Sequence, residues 1–279
     1  IQRQRDAGHQ PVDVRIGGVS VGTVIADGNG DWVMTTPAQS DGVKAITAVQ
    51  TDVAGNVSGP SSSYAVTVDR QVSAPTIDGV GTDTGLSGTD RITNDNTLEI
   101  HGKAEAGATV EVFIDGSRVG TALADAGGNW RLTTPAQSDG AKSITAIQTD
   151  VAGNVSVASP PVTMTIDTTV AAPVIDSVGT DTGVVGDRVT ADNTLEIVGR
   201  AEPGASVDVR INGVSVGSVI ADAGGVWRLT TAPLPDGLKT ITAVQTDVAG
   251  NVSSPATGYN MTIDTGGSFL PPWMHSVGT

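Results

Sequence analysis

The chain has 279 residues, of which 36 are glycine, 14 proline and none cysteine, and its 30 acidic against 15 basic residues give a formal net charge of −15. The lack of cysteine excludes a disulfide scaffold and a thiolate metal site. The acidic surplus argues against nucleic acid and anionic membranes as partners, because both carry the same sign of charge. No run of 18 apolar residues occurs, so no membrane-inserted helix is predicted.

One unit is repeated along the chain. The segment TDVAGNVS begins at residues 51, 149 and 246, with spacings of 98 and 97. A repeated segment is one structural unit, and the pattern indicates a piece of a longer tandem array. Four regions are predicted: a partial repeat lacking its first strands (unit one), two complete repeats (units two and three), and a tail resembling the start of a further repeat, at 1–70, 71–168, 169–265 and 266–279.

Within unit two, apolar and polar side chains alternate with a period of two, as in a strand with one wet face. Val110, Val112 and Ile114, for example, alternate with Glu111 and Phe113. No segment has the pattern of a long helix. Seven strands separated by turns in about 97 residues predict an all-β fold of tandem immunoglobulin-like β-sandwich domains in a linear array. Strands A to G are expected, in chain order, near 74–80, 97–104, 108–115, 117–124, 130–135, 142–149 and 160–167.

Several motifs of this unit carry a family resemblance. They are AEAGATVEVFIDGSRVG, then ADAGGNWRLTTPAQSDG, then TDVAGNVS, then VTMTID and a short linker. In this order they resemble the bacterial immunoglobulin-like repeats of giant surface adhesins and biofilm-associated proteins, over nearly the whole chain. The resemblance implies a cell-surface or secreted bacterial protein with Ca²⁺ bound at the junctions between consecutive domains. The partial first unit, and GGSFLPPWMH in place of the usual linker, depart from the pattern.

Calcium prefers six to eight oxygen ligands, carboxylates above all. In an immunoglobulin-like sandwich the B–C and F–G loops lie where strand A enters, so they should meet the linker from the preceding unit. The alternative is that each aspartate only caps its own turn. The predicted Ca²⁺ ligands are Asp69, Glu105, Asp150 and Asn154 at the first junction, and Asp167, Glu202, Asp247 and Asn251 at the second, with Asp83, Asp90 and Asp95 on the neighbouring pole of unit two.

Other functional patterns are weaker. The A–B stretch at 81–96 is rich in aspartate and glycine and could hold a cation by itself, but it lacks EF-hand spacing and is also typical of a solvated turn. The recurring tryptophans Trp32, Trp130 and Trp227 could stack on sugars, but each begins a strand, which favours core packing. The three histidines fall at unrelated positions of the repeat. A catalytic constellation is therefore not predicted, and the chain is not expected to be an enzyme.

The sequence thus predicts a structural and adhesive stalk segment of a large bacterial adhesin, located outside the cell or on its surface. Its expected partners are the neighbouring repeats of the same chain and a host-cell or biofilm-matrix surface. Two alternatives stay open: an immunoglobulin-like binding module for a glycan or host protein, and an accessory array on an exported carbohydrate-active enzyme. The near-identity of the loops between repeats favours the stalk, because a recognition surface would make one unit diverge.

Overall fold

The computed structural model describes residues 10–266, and this part of the chain contains twenty β-strands and no α-helix. Unit one forms a single antiparallel sheet with the strand order β2-β1-β3-β4. Its strands are β1 (Pro11–Ile16), β2 (Val19–Ile25), β3 (Gly42–Gln50) and β4 (Tyr64–Val68).

Unit two is a complete two-sheet sandwich. A three-stranded sheet with the order β10-β7-β5 faces a five-stranded sheet with the order β6-β12-β11-β8-β9. The strands are β5 (Thr76–Val80), β6 (Ile92–Thr93), β7 (Glu99–Lys103), β8 (Thr109–Ile114), β9 (Ser117–Leu123), β10 (Asn129–Thr133), β11 (Gly140–Thr149) and β12 (Val162–Ile166).

Unit three has the same topology, with sheets β13-β15-β18 and β14-β20-β19-β16-β17. Its strands are β13 (Val174–Val178), β14 (Val189–Thr190), β15 (Glu196–Arg200), β16 (Ser206–Ile211), β17 (Val214–Ile220), β18 (Val226–Thr230), β19 (Gly237–Thr246) and β20 (Tyr259–Ile263). The predicted fold class is confirmed: the described chain is all-β, and two complete immunoglobulin-like sandwiches follow the single sheet of unit one.

The alternating apolar residues fill each core. In unit two Val110, Val112 and Ile114 of β8 lie beside Ile144 and Ala146 of the neighbouring strand β11, and all are buried. Full burial of a side chain of this size contributes about 1.5–3 kcal/mol. The hydrophobic residues of the other sheet, led by Leu98, Ile100 and Trp130, close the same cluster. The core is therefore shared between the sheets, and neither sheet is packed without the other.

The β8–β9 hairpin shows how local sequence fixes the register. Its turn residues Asp115 and Gly116 have φ values of 49° and 78°, the left-handed pair that a tight two-residue hairpin turn requires. The Asp115 carboxylate also accepts a hydrogen bond of 2.9 Å from the backbone N–H of Ser143 in β11. In unit three Asn212 takes the same role toward Thr240. An Asp or Asn followed by Gly therefore both turns the chain and joins it to the next strand.

Unit one differs from the expectation in one strand. It was predicted to lack strands A and B but to keep the later strands, yet residues 31–40 contain no strand where unit two has β10. The reason is pairing: β10 is hydrogen-bonded to β7, and residues 10–70 contain no counterpart of β7. As a result Trp32 is 40% exposed, whereas Trp130 is 2% and Trp227 1% exposed.

The sequence also missed two short strands. β6 pairs in parallel with β12, and β14 pairs in parallel with β20. Each adds an edge to the five-stranded sheet of its unit.

Within the described residues no helix is long and apolar enough to cross a membrane.

Candidate functional site at the junctions

Each linker between units is held by a buried glutamine. Gln148, at the end of β11, accepts a hydrogen bond of 2.8 Å from the Glu105 backbone N–H and donates one of 2.7 Å to the Ser73 carbonyl oxygen. Gln245 makes the equivalent bonds to Glu202 and Ala171, at 2.9 and 2.6 Å. Both glutamines are almost fully buried. They tie the incoming linker to the B–C loop of the unit that follows.

The glutamates of the B–C loops complete this attachment. The Glu105 carboxylate accepts a hydrogen bond of 3.0 Å from the Ser73 backbone N–H, and Glu202 accepts one of 3.1 Å from Ala171. The two predicted ligand positions therefore do lie beside the linker. Each also has a structural task there, because its carboxylate caps the linker backbone.

The aspartates of the F–G turns organise those turns. Asp150 Oδ1 accepts from the backbone N–H groups of Ala152 and Asn154, each at 2.8 Å, and Oδ2 accepts from the Asn154 side chain at 2.8 Å. The Asn154 amide and these backbone groups stabilise the ionised form, and they lower the pKa of Asp150. Asp247 accepts corresponding bonds from the Asn251 backbone and side chain, both at 2.8 Å. Capping of their own turns is thus one role of these two aspartates.

The asparagines of the same turns reach across to the linker. Asn154 Nδ2 donates to the Asp69 carbonyl oxygen at 3.1 Å, and Asn251 Nδ2 donates to the Asp167 carbonyl oxygen at 2.7 Å. These contacts confirm that the F–G turn meets the preceding linker. They use the amide nitrogen as donor, so the assignment of Asn154 and Asn251 as Ca²⁺ ligands stays a prediction.

Three carboxylates converge at the junction of units two and three. One oxygen from each of Asp167, Glu202 and Asp247 lies within 4.8 Å of the other two. Asp247 is buried, and the other two are partly exposed. Three ionised groups at this separation repel one another, and a divalent cation between them would remove that repulsion.

The dimensions of this group fit calcium. Ca²⁺ binds oxygen at about 2.3–2.6 Å, so two ligand oxygens on one ion can lie up to about 5 Å apart. The linker also places the backbone carbonyl oxygen of Asp167 nearby, where the Asn251 amide contacts it. Carboxylates supplemented by carbonyls and water are the donor set that Ca²⁺ prefers.

The first junction differs in detail. Asp69, Glu105 and Asp150 occupy the equivalent positions, but within residues 10–266 they do not form a carboxylate group as close as that of the second junction. Asp69 accepts a bond of 3.2 Å from the Gln71 backbone N–H, as Asp167 does from Thr169 at the second junction. Calcium at this junction stays a prediction.

The A–B loop of unit two uses its aspartates as turn caps. Asp83 Oδ2 accepts from the Arg91 backbone N–H at 2.9 Å, which supports the left-handed φ of 63° at Arg91. Asp90 caps Ile92 at 3.0 Å, and Asp95 caps Thr97 at 2.9 Å. Within the described chain none of these three belongs to a group of three close carboxylates.

Sequence reasoning missed the residues that contact across units. Gln148 and Gln245 could have been found, because they continue the inward-facing positions of their strands, where a glutamine must find polar partners. The contact of Thr84 in the A–B loop of unit two with the Ala249 carbonyl oxygen in unit three, at 2.7 Å, has no comparable signal. Trp130 and Trp227 pack in the core, as the sequence favoured, and are not sugar platforms.

The structure thus defines an array of immunoglobulin-like domains joined by acidic, hydrogen-bonded junctions. The sequence model of the bacterial Ig-like domain matches residues 2–70, 71–168 and 169–265. The chain belongs to this family. No curated protein matches the chain.

Among solved structures, the fibronectin(III)-like modules of CbhA from Clostridium thermocellum align with 68% of this chain and 93% of theirs, at 16% identity and a TM-score of 0.37. The BSP domain of a biofilm-associated protein aligns with 82% of this chain and 43% of that chain, at 17% identity and a TM-score of 0.27. The FN1–FN3 domains of chicken CNTN1 align with 94% of this chain and 91% of theirs, at 11% identity and a TM-score of 0.37.

Proposed function

We propose that this chain is a structural and adhesive stalk segment of a large bacterial surface or secreted adhesin, and that Ca²⁺ at its junctions stiffens it. In this role the repeats hold a binding region away from the cell or connect it to a host-cell or biofilm-matrix surface. Family membership supports an extracellular, non-enzymatic role, since Ig-like domains are typically non-catalytic.

The observation that carries the proposal is the carboxylate group at the second junction. Asp167 comes from the linker, while Glu202 and Asp247 come from two loops of unit three. An ion bound by all three would fix the exit of unit two to the top of unit three. A flexible connection would then become a stiff one, as a stalk requires.

Calcium titration of the full chain tests this proposal. With a dissociation constant of about 10⁻⁴ M, typical of extracellular modules, about 1 mM free Ca²⁺ adds about 1.4 kcal/mol per site. The melting temperature should therefore rise by several degrees with Ca²⁺ and by less with Mg²⁺. Calorimetric titration should give a binding isotherm that Asp167→Asn abolishes at the second junction.

Asp167→Asn is the informative variant because Asp167 accepts only a long intra-linker bond of 3.2 Å from the Thr169 N–H. Asp264→Asn is the matched control. Asp264 is exposed and occupies the same position at the end of unit three, so the substitution removes the same charge there. Equal calcium binding by the parent and Asp167→Asn, or an unchanged melting curve after chelation, would contradict the calcium assignment.

The binding-module alternative has less support. The recurring tryptophans of units two and three are buried, so the residues first considered as sugar platforms cannot stack on a glycan without unfolding the core. The B–C and F–G loops at the junctions, in contrast, already contact the linker, so those atoms are not free to bind a glycan or host protein.

A further inference from the structure

The second junction contains a direct contact between loops that does not involve the three carboxylates. The Thr84 hydroxyl, in the A–B loop of unit two, lies 2.7 Å from the Ala249 carbonyl oxygen in the F–G turn of unit three. The backbone N–H of Leu86 points to the Val248 carbonyl oxygen at 3.4 Å. Two neighbouring carbonyls of unit three are therefore approached by one short loop of unit two.

Glycines permit this approach. A β-carbon built on Gly85 would overlap the Val248 carbonyl oxygen and would lie 2.8 Å from the Ala249 carbonyl carbon. A β-carbon built on Gly250 would lie 3.0 Å from the Gly85 α-carbon. Real β-carbons do not tolerate the first contact, because it is shorter than the sum of the van der Waals radii. The backbones can approach this closely only because residue 85 lacks a side chain, and Gly250 leaves little room for one on the other side.

Burial records the same contact. Ala249 is fully buried, whereas Ala152, at the same position of the F–G turn of unit two, is exposed. Val151 is 80% exposed, whereas its counterpart Val248 is only partly exposed. The two turns have the same sequence, TDVAGN. The turn of unit three packs against the A–B loop of unit two. The turn of unit two has no such neighbour, since residues 10–70 of unit one contain no A–B loop.

Unit three carries a second copy of the A–B loop. Thr182 occupies the position of Thr84, and its hydroxyl accepts a hydrogen bond of 2.7 Å from the Ala191 N–H, as Thr84 accepts one of 2.8 Å from Asn94. Gly183 occupies the position of Gly85, with a similar φ of 82° against 95°, but no atom of residues 10–266 lies within 4 Å of its built β-carbon. The Thr182–Gly183 part of the loop therefore keeps the backbone and the internal hydrogen bond of Thr84–Gly85 although no other unit of the described chain lies against Gly183.

We infer that the Thr84–Gly85–Leu86 loop is a docking surface for the Val248–Gly250 turn of the following unit, and that this contact sets the angle between the two units without calcium. This inference deepens the proposed stalk function, and it rests on that proposal because a fixed angle between units matters only in a stalk. It adds a second joint, made by backbone carbonyls and glycines, beside the carboxylate group.

Distance measurements between spin labels test this inference in the full chain. The chain has no cysteine, so Thr121→Cys and Ser218→Cys place single labels on exposed, equivalent positions of units two and three. In chelator, without Ca²⁺, the parent should give one narrow distance distribution. Gly85→Ala should broaden that distribution and shift its mean, because the added methyl group drives the loops apart.

Gly183→Ala is the matched control. It adds the same methyl group to a glycine with the same left-handed backbone, but in open space, so the distribution should stay as in the parent. Thr84→Val should also broaden it by removing the hydroxyl donor, while Thr182→Val, which removes an equivalent loop-internal acceptor, should not.

The outcomes separate this inference from the calcium proposal. The docking inference is wrong if Gly85→Ala and Gly183→Ala both give the distance distribution of the parent in chelator. It is also wrong if the distance distribution of the parent is already broad in chelator. Narrowing of the parent only on addition of Ca²⁺ would support the carboxylate joint alone. A narrow parent in chelator that Gly85→Ala broadens, with no effect of Ca²⁺, would support the loop contact and contradict calcium stiffening.

Discussion

At the scale of single residues, one side-chain pattern recurs in the turns. An aspartate accepts hydrogen bonds from the side chain and backbone of an asparagine four residues later, in the pairs Asp52 with Asn56, Asp125 with Asn129, and Asp150 with Asn154. In all three the asparagine side chain is the main reason that the pKa of the aspartate lies below its ordinary value. The pattern therefore makes the turns sensitive to acid.

The direction of this sensitivity follows from linkage. A carboxyl group with a lower pKa in the folded than in the unfolded chain stabilises the fold fully above the ordinary aspartate value of about 3.9. That stabilisation is lost as the pH falls through the lower, folded pKa. We therefore expect the free energy of unfolding to decrease in this acid range, in urea titrations made at a series of pH values.

Asp150→Asn isolates one turn. It can keep the oxygen that accepts from the Ala152 and Asn154 backbones, but it cannot ionise. Compared with the parent, this variant should be less stable near neutral pH and should lose less stability on acidification. Parallel curves for the two proteins over the whole range would show that Asp150 does not carry the predicted pH dependence.

At the scale of the elements, the strands could be predicted better than their partners. Alternating residues such as Val110 and Val112 locate β8 because the side-chain period is a local property of the sequence. β6 was missed because a two-residue strand has too little pattern, and its parallel pairing with β12 is non-local. The missing strand at residues 31–40 of unit one is the converse case: its local sequence resembles that of β10, but the described chain offers no strand to pair with it.

The junction divides in the same way. The convergence of Asp167, Glu202 and Asp247 could be predicted, because the topology of an immunoglobulin-like sandwich places the B–C and F–G loops at the pole that receives the linker. The loop contact of Thr84 with Ala249 could not, because it depends on the angle between two units. No periodic pattern or turn motif within one unit contains that information.

Gln245 provides a prediction at this scale. In Gln245→Leu the shape of the side chain is largely kept, but the Glu202 N–H and the Ala171 carbonyl oxygen lose their partners. An intramolecular hydrogen bond of this kind contributes about 0.5–1.5 kcal/mol net to stability. Chemical denaturation should show unit three destabilised by at least that amount, with a lower midpoint.

The control for this variant is Gln50→Leu. Gln50 occupies the same position of unit one, but it is exposed and contacts the Gln10 side chain rather than a linker. The change at Gln50 should therefore have little effect on stability. Equal losses in the two variants would argue that the cost comes from the strand itself and not from the linker attachment.

At the scale of the whole molecule, the units differ in how much of their core is closed. Unit one has one sheet within residues 10–70. Val66 of this sheet is 41% exposed, and Trp32, in the strandless segment 31–40, is 40% exposed. The equivalent residues of unit two, Trp130 and Met164, are 2% and 4% exposed. The stabilisation from apolar burial is roughly proportional to the area removed from water. Apolar burial therefore stabilises unit one less, per strand, than it stabilises units two and three.

This difference predicts the order in which the chain opens. In the isolated 279-residue chain, amide hydrogens of β1 to β4 should exchange faster than those of the corresponding strands of units two and three, because local opening exposes little additional apolar surface. Protease at low concentration should cut first within residues 31–41, where the chain has no strand pairing, and should leave 71–265 as a resistant core.

Peptide mapping by mass spectrometry identifies the cuts, and the isolated protein must be shown to be monomeric, since a second chain covering the open face would protect it. A first cut within unit two or three of a monomer, with residues 12–70 intact, would show that a single four-stranded sheet is sufficient for stability and that the missing opposite sheet costs less than its apolar area indicates.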